Sequence, residues 1–340
     1  MSEQEKSNIS EGVVLEIQRM STEDGPGIRT TVFFKGCSLK CSWCHNPESI
    51  SLHPQLHWIG SRCIGCKTCR DVCPNGALLF TESGVLIDRN MCKGCGTCAE
   101  ACPSNALELL GKRWTLDSLT AEVVKDRAYF EKSGGGVTVS GGEPTVQAKF
   151  VEDFLMRLQK AGIHTALDTC GMCSRDVLDR ILFHVDMVLF DIKEIDADKH
   201  RQFTGKPNEK ILENLVRVSE HMLICSQPDH LWVRTPIIPG ATAREDNIRG
   251  IGKFIASRLH DTVSRWDLCA FNNLCRDKYV RLGLDWPFKN AELLTKEFME
   301  ELAEIARDSV TKPEIVRWSG STKLDEDKGE SRHAMLETSL

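Results

Sequence analysis

Three cysteines in one short segment constrain this chain more than any other feature. Cys37, Cys41 and Cys44 have the spacing Cys-x3-Cys-x2-Cys. A 4Fe–4S cube needs four ligands, and three thiolates from one loop bind only three of its iron atoms. The fourth iron then stays open to chelate and reduce a small molecule. The spacing therefore predicts an iron–sulfur cluster with one open coordination position.

Composition excludes several classes of function. The chain has 340 residues, 41% of them hydrophobic, which is enough for one large domain plus a small one. Its net charge is −6, and it carries no basic stripe of the kind that binds nucleic acid. The first residues lack the apolar stretch of a signal peptide, and the apolar runs are too short to cross a membrane. We expect a cytoplasmic monomer with no membrane or nucleic-acid partner.

Cysteine usage points to metal rather than to disulfides. Eleven of the sixteen cysteines fall into three groups between positions 37 and 102. Disulfides belong to oxidising compartments, for which this sequence gives no export signal. We interpret the eleven as cluster ligands and expect an anaerobic, low-oxygen cytoplasm.

A second cysteine pattern occurs twice. The run Cys-x2-Cys-x2-Cys-x3-Cys-Pro begins at Cys63 and again at Cys92, 29 residues later. It is similar to the run of bacterial two-cluster ferredoxins, in which the fourth cysteine of each run binds the other cluster. That similarity implies two ligand sets: Cys63, Cys66, Cys69 with Cys102, and Cys92, Cys95, Cys98 with Cys73. Structural zinc is the alternative, but zinc sites usually use two separated cysteine pairs. The repeat predicts a ferredoxin-like insert that relays electrons or only stabilises its own segment.

The rest of the chain alternates strand-like and helical patterns. Short β-branched or apolar runs end in polar residues near positions 140, 168, 191, 234 and 272, with helical stretches between them. This alternation predicts a parallel α/β sheet, and the carboxyl ends of such strands form the functional face of βα barrels. A single Gly or Asp can end a strand for reasons of turn geometry alone. The prediction therefore rests on the recurrence of such residues at several strand ends.

Several motifs together resemble one family. They are Asp-Gly-Pro-Gly-Ile-Arg-Thr at 24–30, the cysteine segment at 37–47, Ser-Gly-Gly-Glu-Pro at 140–144, Asp-Thr-Cys-Gly at 168–171 and Asp-Ile-Lys at 191–193. In this order they resemble the glycyl radical enzyme activating enzymes of the radical S-adenosylmethionine (SAM) superfamily, typified by the pyruvate formate-lyase activase. The similarity is to the branch with a two-cluster ferredoxin insert.

This resemblance implies an α/β fold: a partial (β/α)6 barrel with an inserted ferredoxin-like domain. It implies a flexible N-terminus at 1–11, the barrel at 12–55 and 108–318, the insert at 56–107, and a disordered tail at 319–340. The implied cofactors are three 4Fe–4S clusters and SAM.

The resemblance also implies residues that contact SAM. Gly141, Gly142 and Glu143 are expected to line the methionine amino group, since glycines allow the backbone to approach closely. An ordinary glycine turn is the alternative. Trp43 and His45 flank the cluster loop and are expected to contact the adenine or shield the cube.

A monovalent-cation site is implied beside the SAM carboxylate. Asp168, Thr169 and Asp191 supply hard oxygen ligands for it. Lys193 and Arg234 are positive groups for the SAM carboxylate or for the partner's glycyl loop. The alternative is that these residues form hydrogen bonds and ion pairs at strand ends.

One position departs from the family. Asn272 stands where a SAM-contacting histidine is common. Asn can donate and accept hydrogen bonds, but it does not titrate near neutral pH.

The implied activity is activation of a partner glycyl radical enzyme. SAM would be cleaved to methionine and a 5′-deoxyadenosyl radical, which abstracts hydrogen from a backbone glycine and becomes 5′-deoxyadenosine. A flavodoxin or ferredoxin would supply electrons. The alternatives are another radical SAM enzyme with auxiliary clusters, such as a peptide- or sulfatase-modifying enzyme, and a ferredoxin-like electron carrier without catalysis. The auxiliary cysteines directly follow the first cysteine loop, which favours an activase. The sequence leaves the partner open.

Overall fold

The computed structural model describes residues 11–323. The expected flexible N-terminus lies outside this range except for Glu11, which begins the first strand. Most of the expected disordered tail also lies outside it. Within the range, strand pairing continues to Ser319, and the Lys323 amide donates to the Leu294 carbonyl.

Thirteen strands and eleven α-helices make up the described chain. The strands are β1 (Glu11–Ser21), β2 (Arg29–Phe34), β3 (Gln55–Trp58), β4 (Leu78–Thr81), β5 (Gly84–Ile87), β6 (Leu107–Leu110), β7 (Lys112–Thr115), β8 (Gly136–Gly141), β9 (His164–Thr169), β10 (Met187–Asp191), β11 (His230–Ile237), β12 (Val263–Ala270) and β13 (Val316–Ser319). The helices are α1 (Thr68–Asp71), α2 (Thr97–Glu100), α3 (Leu116–Val124), α4 (Arg127–Ser133), α5 (Ala148–Lys160), α6 (Arg175–Leu182), α7 (Ala197–Thr204), α8 (Glu209–Ile224), α9 (Glu245–Arg258), α10 (Arg276–Leu282) and α11 (Lys296–Arg307). None of these helices is both long and apolar enough to cross a membrane.

Nine strands form one mixed sheet in the order β13-β12-β11-β10-β9-β8-β2-β1-β7. Seven neighbouring strands of this sheet are parallel, namely β2, β8, β9, β10, β11, β12 and β13. In contrast, β1 pairs antiparallel with both β2 and β7. The sheet has two edges and is therefore open. The predicted α/β alternation is confirmed, but six parallel strands were expected. The additional strand β13 has only four residues, which are too few to show the alternation of apolar and polar residues that predicts a strand.

The central strands are buried on both faces. Val139 of β8 and its register partner Leu167 of β9 are fully buried on one face, and the partners Thr138 and Ala166 are fully buried on the other. Helices α5, α6, α8, α9 and α11 pack against the first of these faces, whereas the apolar cluster on the second face consists of strand residues alone, and burial on both sides explains the continuous apolar runs. Phe154 of α5 belongs to the same core and is also fully buried. This packing holds the carboxyl ends of the strands in one rim.

Residues between β3 and β6 pack around a small core of their own. β3 pairs with β6 and β4 pairs with β5, both antiparallel. The sequence repeat reappears as α1 and α2, two four-residue helices that carry Cys69 and Cys98 respectively. Each helix follows a residue with left-handed backbone, Lys67 or Gly96. The apolar residues Leu56, Leu78, Val85, Ile87 and Leu107 fill the centre of this unit.

Truncation of the core should destabilise the chain. Phe154→Ala removes a fully buried ring and should lower the free energy of unfolding by about 3–5 kcal/mol. Phe183→Ala is the control, because that ring is 59% exposed. Urea unfolding followed by circular dichroism measures both. Equal midpoints for the two variants would contradict this packing.

Candidate active site at the carboxyl ends of the strands

A cavity of about 390 Å³ opens at the carboxyl ends of the parallel strands. Pockets of this volume accommodate small molecules. Six successive strand ends contribute to its wall, from the segment after β2 to the segment after β12. It is lined by the sequence-predicted residues Cys37, Cys41, Trp43, Cys44, His45, Gly141, Gly142, Asp168, Thr169, Asp191, Lys193, Arg234 and Asn272. Cys37 and Asn272, which are 235 positions apart in the chain, are thus brought to one site.

The first cysteine loop is anchored by its backbone. The Cys37 amide donates to the Ile50 carbonyl (3.0 Å), and the Lys40 amide donates to the Thr204 carbonyl (2.8 Å). Burial raises the pKa of Cys37 to about 12 and also raises that of Cys41. Buried thiols lose their protons readily only to a metal, so binding of a cluster would release protons. Three soft sulfur donors on one fixed loop fit an iron–sulfur cluster.

The loop after β8 lies directly against the cysteine loop. The Gly142 amide donates to the Phe34 carbonyl (2.9 Å), and the Glu143 amide donates to the Gly36 carbonyl (2.8 Å). Gly141 has φ +113°, and a Cβ added there would lie 2.4 Å from the Phe34 backbone. A Cβ on Gly142 would lie 2.3 Å from the Gly36 carbonyl oxygen. Only glycine permits this contact between the two loops.

Glu143 does not take the place that the sequence suggests. Its side chain is fully buried and is missing from the described lining of the cavity. One carboxylate oxygen accepts hydrogen bonds from the Thr145 amide (3.1 Å), the Thr145 hydroxyl (2.7 Å) and the Thr169 hydroxyl (2.8 Å). The other accepts one from the Cys170 amide (2.8 Å). The carboxylate therefore joins the loops after β8 and β9 from beneath the cavity.

Arg234 lies at the centre of a partly buried charge cluster. Its guanidinium donates to the Asp168 carboxylate and lies 3.5 Å from Asp191 and 3.9 Å from Asp24. The Lys193 ammonium donates to Asp191 at 2.7 Å. Three carboxylates thus meet two cationic side chains, and the buried guanidinium of Arg29 adds a further positive charge near Asp24. The ion pairs considered as the alternative for Lys193 and Arg234 are present.

These charges shift one another's pKa. Burial alone would lower the pKa of Lys193, but Asp191 and the thiols of Cys41 and Cys170 outweigh it and raise that pKa. Burial raises the pKa of Asp168, although Arg234 opposes the shift. For Asp191 burial acts in the same direction, but Lys193 and Arg234 outweigh it and lower the pKa.

Aromatic rings form another wall of the cavity. Trp43 packs against Phe203, with 5.8 Å between ring centroids, and His45 lies 6.3 Å from Phe271. Burial lowers the pKa of His45, and its Nε2 atom has no hydrogen-bond partner among the described residues. The Asn272 side-chain oxygen accepts from the Leu274 amide (3.2 Å), so it helps to form the turn before α10.

Some lining residues were not predicted as site residues. Asp24 belongs to a quoted family motif, and its contact with Arg234 shows why a carboxylate stands there. Ser140 donates to Asp168 at 2.6 Å. Cys170 and Cys269 also face the cavity. The sequence feature that could have indicated these two cysteines is their position, since each lies at or just beyond the end of a strand.

The eight cysteines of the two repeated runs line two further cavities. One cavity is lined by Cys63, Cys66, Cys69 and Cys102, and the other by Cys73, Cys92, Cys95 and Cys98. This grouping crosses the runs as the ferredoxin similarity implies. The fourth cysteines have matching surroundings, because the Ala77 amide donates to Cys73 Sγ (3.4 Å) and the Ala106 amide donates to Cys102 Sγ (3.2 Å). Such sulfur donors fit iron–sulfur clusters.

Replacement of the Glu143 carboxylate should weaken the junction beneath the cavity. In Glu143→Gln one oxygen becomes an NH2 group that faces a hydrogen-bond donor, so the free energy of unfolding should fall by about 1–3 kcal/mol. Glu213→Gln is the control, because Glu213 is exposed on α8. Urea unfolding compares the two variants. Unchanged stability of Glu143→Gln would contradict the four hydrogen bonds.

Comparisons with known proteins identify the family. Residues 31–249 match the model of the radical SAM superfamily. The (2S)-3-sulfopropanediol dehydratase activating enzyme of Klebsiella oxytoca is 35% identical over 300 residues, which cover 87% of this chain and 93% of that protein. The trans-4-hydroxy-L-proline dehydratase activating enzyme of Clostridioides difficile is 37% identical over 294 residues, with coverages of 86% and 95%. The 4-hydroxyphenylacetate decarboxylase activating enzyme of Clostridioides difficile strain CD196 is 35% identical over 305 residues, with coverages of 88% and 94%.

The similarity spans nearly the full length of each relative, and the family expected from the sequence motifs is confirmed. The chain belongs to the radical SAM superfamily and, within it, to the glycyl radical enzyme activating enzymes.

Proposed function

We propose that this chain activates a partner glycyl radical enzyme at the cavity described above, with Cys37, Cys41 and Cys44 as ligands of a 4Fe–4S cluster. When bound, that cluster supplies the electron that cleaves SAM to methionine and a 5′-deoxyadenosyl radical, which takes hydrogen from a backbone glycine of the partner. The convergence of three thiols and six strand ends on one cavity carries the proposal.

The polar side of the cavity suits the methionine part of SAM. We place the methionine amino group against the backbone of Gly141 and Gly142, where the missing side chains leave the backbone accessible. The carboxylates of Asp168 and Asp191 line the cavity and can attract a cationic group such as the SAM ammonium. Glu143 then acts as a positioning residue, because its carboxylate holds the loop that carries the two glycines.

Lys193 and Arg234 orient the ligand rather than transfer protons. Both are held in ion pairs that keep them positively charged, so each can attract the SAM carboxylate while neutralising an aspartate. A monovalent cation bound by Asp168, Thr169 and Asp191 stays a prediction. It is supported by the position of these three oxygen-bearing residues on the wall of one cavity.

The aromatic side of the cavity suits the adenosyl part of SAM and the exclusion of water. Trp43 and Phe271 are buried next to the cysteine loop, and His45 is kept neutral by burial. Exclusion of water protects a reactive radical from side reactions. Asn272 replaces the family's histidine, and its side-chain NH2 group supplies a hydrogen-bond donor in its place.

We further propose that the two cysteine sets of the insert bind two more 4Fe–4S clusters, three in all. The cross-run grouping of the thiols and their matching backbone hydrogen bonds support clusters over zinc. Their role would be to relay electrons from a flavodoxin or ferredoxin. The insert boundaries, the monomeric state and an anaerobic, cytoplasmic location stay predictions.

The relatives differ in the enzymes that they activate. Two are named for dehydratases and one for a decarboxylase. We therefore propose a partner from the glycyl radical enzymes as a class and assign no individual one.

Loss of one ligand of the first loop should abolish SAM cleavage. Cys41→Ala removes a thiol without which the cluster lacks a ligand, so no 5′-deoxyadenosine should form after anaerobic cluster reconstitution with SAM and a strong reductant. Cys225→Ala is the control, since that thiol lies at the end of α8 and outside the cavity. Chromatography of the nucleoside product is the measurement. Full cleavage by Cys41→Ala would contradict the assignment.

A further inference from the structure

The two cysteine sets of the insert differ in their contacts with the rest of the protein. β3 follows the first cysteine loop and leads into the insert. Along this segment Pro54 touches the second cysteine run at Gly94, and Leu56 lines the cavity of the set that contains Cys95. Trp58, two residues further on, lines the cavity of the other set. Along the chain from the active site, the set that contains Cys95 is thus reached before the set that contains Cys66.

Gly94 marks a close contact that its repeat counterpart lacks. A Cβ on Gly94 would lie 2.3 Å from the Pro54 carbonyl oxygen. Gly65 occupies the same place in the first run, and a Cβ there would meet nothing within 4 Å. Both residues have similar left-handed backbone, with φ +63° and φ +72°. The two positions therefore differ in packing and not in conformational strain.

Arg89 adds a second contact on the same side. Its guanidinium donates to the Leu56 carbonyl and to the Leu282 carbonyl, the latter at 3.1 Å. Leu282 is the last residue of α10, which belongs to the body of the protein. Arg89 precedes Cys92 by three residues, so this side chain ties the start of the second run to α10.

The same helix contacts the first cysteine loop. The Tyr279 hydroxyl donates to the Cys44 carbonyl at 2.9 Å. The Lys278 ammonium donates to the Asn46 side-chain oxygen (2.8 Å) and lies 2.6 Å from the Glu48 carboxylate. α10 thus bridges the second cysteine run and the loop of the active-site cysteines.

Exposure alone does not distinguish the two sets, because Cys66 and Cys95 are both exposed. Contacts do distinguish them. We propose that Arg89 and Gly94 are positioning residues that seat the second run against β3 and α10. The set of Cys73, Cys92, Cys95 and Cys98 is then the inner one, next to the active-site loop, and the set of Cys63, Cys66, Cys69 and Cys102 is the outer one. This inference rests on the proposed function, since it takes both sets as cluster ligands.

Electron paramagnetic resonance of the reduced holoenzyme tests the order. A reduced cluster close to the active-site cluster broadens its signal through spin–spin interaction. We expect Cys95→Ala to remove this broadening and Cys66→Ala to keep it. The proposed order would be overturned if the broadening were retained in Cys95→Ala and lost in Cys66→Ala. It would also be overturned if the signal of the unaltered protein showed no broadening.

A matched pair of glycine variants tests the positioning contact itself. Gly94→Ala should displace the second run from Pro54 and weaken the broadening, with iron content unchanged. Gly65→Ala carries the same backbone strain without the clash and should keep the broadening of the unaltered protein. Arg89→Ala should behave like Gly94→Ala, whereas Arg62→Ala, an exposed arginine of the insert paired with Glu108, should not. Equal spectra for Gly94→Ala and Gly65→Ala would overturn the positioning role.

Iron analysis separates this inference from the proposed function. Three clusters require about twelve iron atoms per chain. A holoenzyme with about four iron atoms would contradict the clusters of the insert, and with them the distinction between an inner and an outer set. A holoenzyme with about twelve and the reverse pattern of broadening would leave the proposed function standing and overturn only the order.

Discussion

The backbone of Gly142 lies directly against the carbonyl of Gly36, and the shape of the active site depends on that contact. Because no side chain separates the two loops, the three cysteines and the end of β8 share one rim. Glu143 locks the arrangement from beneath by accepting hydrogen bonds from the next loop. A larger residue at either glycine would open the cavity at the place where the methionine end of SAM is proposed to bind.

Charge balance adds a second constraint. Arg234 lies partly buried among the carboxylates of Asp24, Asp168 and Asp191, and Lys193 pairs with the last of these. Buried charges persist only when they are paired, because desolvation of a lone ion is costly. Five charged groups from distant parts of the chain therefore hold one another in place along the wall of the cavity.

Much of this could be predicted from the sequence, because short motifs with fixed spacing carry it. The cysteine spacings, the strand–helix alternation and the polar strand ends correctly indicated the family and an α/β fold. Side-chain direction could not be predicted, so Glu143 was expected at the cavity although its carboxylate points into a buried junction. The three partners of Arg234 also depend on tertiary contacts. Likewise, Gly94 and Gly65 are equivalent in the repeat, and only packing against Pro54 distinguishes them.

The most direct test of the account follows one hydrogen atom. The reconstituted, reduced enzyme would receive SAM and peptides that carry the glycyl segment of glycyl radical enzymes, deuterated at the glycine Cα. Mass spectrometry of the 5′-deoxyadenosine product is the readout. The account predicts that deuterium moves from the glycine to 5′-deoxyadenosine. Unlabelled 5′-deoxyadenosine, formed while a deuterated peptide is bound, would contradict hydrogen abstraction from glycine at this site.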